Sequence, residues 1–286
     1  MIDYKLLVGK TVDERETHIR VEDTILYALS IGFGADPTDL QQLRYVYEEN
    51  LEALPGMSLV LAYPGFWLKD PKYQMDWPKM LHAEEAFEIH APLPVSGTIT
   101  GKTVLTQIID RGKEKGAYLY STKEVRAKED GRLLASVNSA TVARGDGGFD
   151  GPTGPVQKPV EIPTRAPDLV CDLPSLPQQA LFYRLCGDMN PLHADPAVAR
   201  KGGFERPILH GRCTMGIAQH AIIKSCCAYQ ASRLRSMRVR FTAPFLPGET
   251  LRTSMWQDGN LVFFTASSIE RGVTVLNNGR AELGPG

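Results

Sequence analysis

Cysteine is scarce, five in 286 residues, and no two stand as C-x-x-C. That excludes a disulfide framework and leaves no zinc-knuckle or redox-pair spacing. Charge of one sign is also missing. Thirty-two basic side chains face 33 acidic ones, a formal net charge of −1, so the electrostatic footprint of a general nucleic-acid binder is absent. No long uncharged apolar run exists: the most apolar stretch, Ile208 to Ala228, carries Arg212, His220 and Lys224, which argues against a membrane span. The opening MIDYKLLVGK lacks a secretory apolar core and the closing LGPG is not an S-K-L address, so the expectation is a cytoplasmic protein with reduced thiols. There is no G-x-S-x-G elbow, and GDGGFDG at 145–151 follows no clear strand and opens no helix. Neither a serine hydrolase nor a dinucleotide fingerprint is therefore read.

What is present is an ordinary globular composition, 43% hydrophobic and 23% charged, in a chain long enough for two small domains or one large one. Between Gly145 and Pro174 it turns dense in Gly and Pro without apolar period, which marks a linker. The expected units are 1–144, a linker over 145–174, and 175–286. The two halves repeat. FEIHAPLPVSGTI at 87–99 resembles VRFTAPFLPGETL at 239–251, and ILYALSIGFGADP at 25–37 resembles ALFYRLCGDMNP at 180–191. Each of the first pair is followed by strand, Asp-Gly turn and strand, at Asp130-Gly131 and Asp258-Gly259, a strong hairpin signal.

In the second half, Ser175 and Pro177 suit the start of a short helix running to about Cys186, and Asp195-Pro196 reads as the cap and first residue of another. Met215, Ala218, Ile222 and Cys226 step by three and four, predicting a long helix from Pro207 to about Cys227. Four strands follow, near 234–245, 249–257, 260–270 and 273–284. The fold class is α+β, an antiparallel sheet wrapped around a central helix.

The densest chemistry lies in GDMNPLHADP, 187–196, and RPILHGRC, 206–213. Asp188, Asn190 and His193 sit on a segment that Gly187 and Pro191 keep from being regular helix. An acid, an amide and an imidazole on one loop can converge on one spot. Taken alone, each also fits a local role, since Asp and Asn accept N–H bonds in turns and a histidine can be a polar core contact. Gly211 falls in the first turn of the long helix, where N–H groups lack intrahelical partners and the macrodipole is positive. A carbonyl oxygen gaining charge would be stabilised there, an effect typically worth about 3–4 kcal/mol per donor.

These motifs, with Tyr183, Leu185 and His210, closely resemble the signature of the (R)-specific 2-enoyl-CoA hydratases, the hydratase 2 or MaoC-like family. The resemblance extends through FTAPFLPGETL and MWQDGN and into the first half, covering most of the chain. It implies two fused hotdog units, the first degenerate. It also implies that Asp188 and His193 hold the catalytic water, that Asn190 positions Asp188 or the water, and that the Gly211 N–H binds the thioester oxygen. The implied reaction adds water to a trans-2-enoyl-CoA to give a (3R)-3-hydroxyacyl-CoA, with no metal and no cofactor beyond the coenzyme A of the substrate. The assignment of base and acid stays open. Two other readings remain, a hotdog thioesterase and a non-catalytic acyl-CoA-binding or partner subunit of a dehydratase complex.

The first half lacks the Asp and His of the site, SIGFGADPTD standing in their place. Pro64, Pro71 and Pro78 break the stretch that would match the central helix, each costing a helix interior roughly 3 kcal/mol. Phe66, Trp67, Met75 and Trp77 would then line an acyl-tail pocket, with ordinary core packing as the equal alternative. Arg233 and Arg235, in a strand with four arginines, and Lys201, Arg206, Arg212 and His210 near the loop are candidates for the substrate and the phosphates of coenzyme A. His193-Ala194-Asp195 matches an iron-type H-x-D, but Asp195 reads better as a helix cap. Glu48 is read as a surface residue, and His82 and His220 as structural. Sheet edges of this kind predict a homodimer.

Overall fold

Alternation makes the strands: along 261–268 every second residue from Val262 to Ser268 is buried, and along 250–258 Leu251, Thr253 and Met255 turn inward, the period of a pleated strand with one face on a core. The computed structural model describes residues 4–285; positions 1–3 and 286, the outermost residues of the expected units, lie outside it. In chain order the elements are α1 (Tyr4–Leu7), β1 (Thr11–Ile19), α2 (Val21–Ser30), α3 (Leu40–Leu43), β2 (Met80–Ile89), β3 (Gly97–Asp110), β4 (Ala117–Ala127), β5 (Leu133–Ala143), β6 (Leu169–Pro174), α4 (Gln179–Tyr183), α5 (Pro196–Lys201), α6 (Gly211–Cys227), β7 (Leu234–Phe241), β8 (Thr250–Asp258), β9 (Leu261–Ser268) and β10 (Val273–Leu283).

All ten strands form one antiparallel sheet in the order β1-β3-β4-β5-β2-β7-β10-β9-β8-β6. The two halves are copies of one plan: an edge strand (β1, β6), a helix (α2, α4), then four strands whose first closes back beside the fourth. They meet where β2 pairs with β7, Phe87 opposite Met237 and Glu85 opposite Val239. The central helix α6 packs on β6, β7, β8 and β10. Among the described residues of the first half it has no counterpart. The corresponding chain makes only 3₁₀ turns at Pro55–Leu59, Trp67–Lys69, Pro71–Tyr73 and Trp77–Lys79, as the prolines require.

Several expectations are corrected. The Asp-Gly hairpins are out of step: Asp130-Gly131 joins β4 to β5, the third and fourth strands of its half, whereas Asp258-Gly259 joins β8 to β9, the second and third. The expected linker is pinned at both ends. Residues 169–174 are β6, paired with β8, and the Asp110 carboxylate accepts N–H bonds from Gly148 at 2.7 Å and Phe149 at 2.8 Å. The helix expected from Pro207 begins four residues later, because Leu209 N–H donates to the Phe245 carbonyl and holds the approach extended. Ser175 caps nothing; its hydroxyl donates to the Glu249 carbonyl and accepts from Gly248 N–H, tying the start of the second unit to the β7–β8 turn.

Candidate active site

Gly187 turns the chain out of a 3₁₀ turn with φ of 120°, a conformation that favours glycine, and Asp188 follows on the open loop. The Asp188 Oδ1 accepts the Asn190 N–H at 3.2 Å, and the Asn190 Oδ1 accepts the Leu192 N–H at 3.2 Å, capping the turn Pro191–His193. Asn190 thus reaches Asp188 through its backbone, while its carboxamide oxygen serves the turn that carries His193.

His193 is buried and its Nδ1 lies 2.9 Å from the Ile208 carbonyl. A carbonyl only accepts, so Nδ1 carries the proton and Nε2 keeps a lone pair. Likewise the His210 Nε2–H donates to the Asp188 carbonyl at 3.1 Å, leaving its Nδ1 buried and without a partner among the described residues. The two rings are stacked, and nitrogens of both approach the Asp188 carboxylate, all three groups within 4.8 Å of one another. Burial pushes the His193 imidazole below its ordinary pKa, and burial together with His193 pushes His210 down to about 3. Both rings are therefore neutral at pH 7.

The ring centroids are 3.7 Å apart and the planes are inclined by 28°. Asp195 stands outside the cluster and caps α5, accepting the Ala197 N–H at 2.7 Å.

His210 is also the cap residue of α6, and Gly211 is its first helical residue. The Gly211 N–H has no backbone partner within the helix and faces the positive end of the dipole. The reason for glycine is packing: a Cβ there would stand 3.0 Å from the Phe241 ring.

The family is now decided by comparison. Residues 18–145 match the MFE-2 hydratase 2 N-terminal domain and residues 154–278 the MaoC like domain. The chain is 38% identical to "Enoyl-CoA hydratase ChsH3" of Mycobacterium tuberculosis, covering 99% of both chains. It belongs to the MaoC-like hydratase 2 family. It is 36% identical to peroxisomal multifunctional enzyme type 2 of Mus musculus over 92% of this chain and 36% of that one. Among solved structures, a MaoC-like dehydratase from Phytophthora capsici superposes with a TM-score of 0.87 at 30% identity, covering 99% of this chain and 98% of that one. A Mycobacterium tuberculosis protein described as a double hotdog shares the fold, with a TM-score of 0.59 at 13% identity over 99% of this chain and 98% of that one.

Within this hydratase 2 chain the candidate residues separate. Asp188, His193, His210 and Gly211 come together. Lys201 and Arg206, at the end of α5 and in the loop after it, are exposed. His210 is 1% exposed and lies under the Asp188 loop, which corrects its reading as a coenzyme A contact. Arg233 is corrected as well: it donates to the Cys226 carbonyl at the C-terminal end of α6, roughly 25 Å along the helix from Gly211, and Arg235 follows two residues later. Arg212 is committed to Glu85 at 2.8 Å. The aromatic set does not line the site. Met75 is buried in a separate small core with Leu68, Leu105, Ile108 and Leu119, Phe66 and Trp67 pack against it, and Trp77 is 43% exposed beneath the Lys69 ammonium. Glu48 is exposed. Tyr63, Glu85, His82 and Ser139, all from the first half, stand around Arg212 and carry no local motif. The sole trace of Glu85 is a charged residue where the strand turns inward.

Proposed function

We propose that this chain adds water reversibly to a trans-2-enoyl-CoA, giving a (3R)-3-hydroxyacyl-CoA. The observation that carries this reading is the fixed tautomer of His193: Nδ1–H is given to Ile208 and Nε2 keeps its lone pair, on a ring that has a nitrogen within 4.8 Å of an Asp188 carboxylate oxygen. A water between the two donates one hydrogen to each. As its oxygen bonds to C3, Nε2 takes one proton, and the electron pair of the C2–C3 bond moves toward the thioester oxygen, which the Gly211 N–H receives. The imidazolium then returns the proton to C2 from the same face, and the other hydrogen stays on the new hydroxyl, held by Asp188. Atoms and charge balance without metal or cofactor, and acid–base help of this kind is worth about 10²–10⁴ in rate.

Support also comes from the relatives named as enoyl-CoA hydratases over the full length of the chain. The substrate's phosphates are assigned to Lys201 and Arg206, which are exposed at the end of α5 and in the loop after it. A homodimer belongs to this reading, since β1 and β6 end the sheet. No helix among the described residues is long and apolar enough to cross a membrane. The test is incubation of the purified chain with short, long and sterol-like enoyl-CoA substrates and chiral analysis of the product. A 3R alcohol is expected; free coenzyme A would indicate a thioesterase, and no turnover a binding subunit.

A further inference from the structure

The start of α6 lacks the usual local supports. His210 is its cap residue, but the ring accepts no N–H of the first turn: Nε2 is spent on the Asp188 carbonyl, and Nδ1 has no partner among the described residues. The turn that follows, Gly211-Arg212-Cys213-Thr214, holds no acidic residue. Such a start keeps its N–H groups for a ligand but gives up the cap and the negative charge that ordinarily hold a first turn in place.

The hold comes from the other half of the molecule. The Arg212 Nε donates to the Glu85 Oε2 of β2 at 2.8 Å, with the Glu85 side chain fully buried and that of Arg212 13% exposed. Glu85 is itself fixed: the Ser139 hydroxyl of β5 donates to Oε1 at 2.6 Å, and the His82 Nε2 lies 2.7 Å from Oε2. The Tyr63 ring covers the guanidinium, 4.5 Å from its carbon. Burial alone would raise the Glu85 carboxyl; the Arg212 charge, with His82, holds it at about 2, so the tie stays ionised at neutral pH. The same corner grips Gly211. The His82 ring lies against the Phe241 ring, 4.7 Å between centroids, and Phe241 stands so close to Gly211 that a Cβ there would meet it at 3.0 Å. Two contact paths thus run from one carboxylate to the first two residues of α6, one through Arg212 and one through His82 and Phe241. The peptide bond between Gly211 and Arg212 closes the circuit.

We propose that Glu85 is a positioning residue: by anchoring Arg212 it fixes the first turn of α6 and so aims the Gly211 N–H at the thioester oxygen. The first half then supplies no reacting group yet sets the geometry of one, and small displacements of an aimed donor are costly in rate. The inference rests on the hydratase reading, in which that amide receives the oxygen.

The experiment uses the full chain carrying Glu85→Gln, Arg212→Met or both, and measures kcat and KM for hydration of a trans-2-enoyl-CoA together with thermal melts. Each single variant should lose about tenfold in kcat with KM changed by less than about threefold, the pattern of an interaction weakened in the transition state. The double variant should be no slower than either single one, because the two side chains act as one tie. It should stay about tenfold below the parent even where its melting midpoint recovers, since a buried ion pair replaced by neutral groups is well tolerated. The second readout is the absorption band of trans,trans-2,4-hexadienoyl-CoA bound to Asp188→Asn chains. That band moves to longer wavelength when the thioester oxygen accepts a hydrogen bond, because the excited state, like the transition state, places charge on that oxygen. Adding Glu85→Gln should shrink the shift. A single variant of parental kcat, a double variant whose kcat returns to the parental value, or an unchanged shift overturns the proposal. If the single variants fail to fold, the double variant decides alone, at about a tenth of the parental kcat or at parity with it. The two readings fail separately. A parent that makes no 3R alcohol defeats the hydratase assignment and this inference with it, whereas a hydrating parent beside a Glu85→Gln chain of unchanged kcat defeats this inference alone.

Discussion

His193 and His210 lie ring on ring, 3.7 Å between centroids, and each gives its N–H to a backbone carbonyl of the other's segment, His193 to Ile208 and His210 to Asp188. The two loops that build the site are thus laced together by the imidazoles themselves. His193→Gln and Asp188→Asn should each lower kcat by about 10²–10⁴, with far-UV circular dichroism unchanged. Near-normal rates in either variant would refute the assigned roles.

Proton uptake should weaken the protein well above the carboxylate range. Burial lowers His193, His210 (to about 3) and His220 (to about 4) from the ordinary 6.5. The unfolded chain therefore binds protons that the folded chain refuses. Their contribution is full above about pH 6.5 and is lost as pH falls toward about 4 and then 3. Urea midpoints should drop between pH 7.5 and 5. His220→Phe, which keeps a ring against Phe33 at the place where His220 now stacks at 3.8 Å, should make that slope shallower.

Gly211→Ala should fold but hydrate more slowly. The added methyl meets the Phe241 ring at 3.0 Å, so the ring or the helix start must shift by a few tenths of an ångström, enough to move an aimed N–H donor. A loss of about tenfold in kcat is expected, recovered in part by Gly211→Ala with Phe241→Leu. Equal rates in Gly211→Ala and the parent would show that this amide is not in the reaction.

Lys123 of β4 is buried and gives its ammonium to the carbonyls of Ser58 at 3.0 Å, Leu59 at 3.2 Å and Leu61. It closes the turn that stands where the first half lacks a central helix. Lys123→Met strips three carbonyls of their donor and should cost about 3 kcal/mol of stability, read as a lower denaturation midpoint.

The loop at 187–193 and the helix after Gly211 were legible because their signals are local: a glycine, a proline, an acid and an imidazole within seven residues, then a three-four apolar step. The Asp-Gly hairpins are legible but their step is not, since Asp-Gly marks a turn and carries nothing about which two strands it joins. Arg212 stands in the sequence only as a candidate for the substrate and its phosphates, because its partner, Glu85, is 127 residues away. For Phe66, Trp67 and Met75 the sequence leaves a tail pocket and ordinary core packing equal, because nothing local shows that β3 and β4 bury them on a second, smaller core.

The seam between β2 and β7 has a mechanical consequence. Because Glu84 to Glu88 are laddered directly onto Ser236 to Arg240, with Glu84 also ion-paired to Arg240 at 2.9 Å, neither half can swing against its neighbour as a hinged lobe would. A protease nick inside 152–168 would sever the chain yet leave the fragments gripping each other, and they should melt in a single transition. Either fragment made alone would bare a long raw strand at its border, an invitation to aggregate.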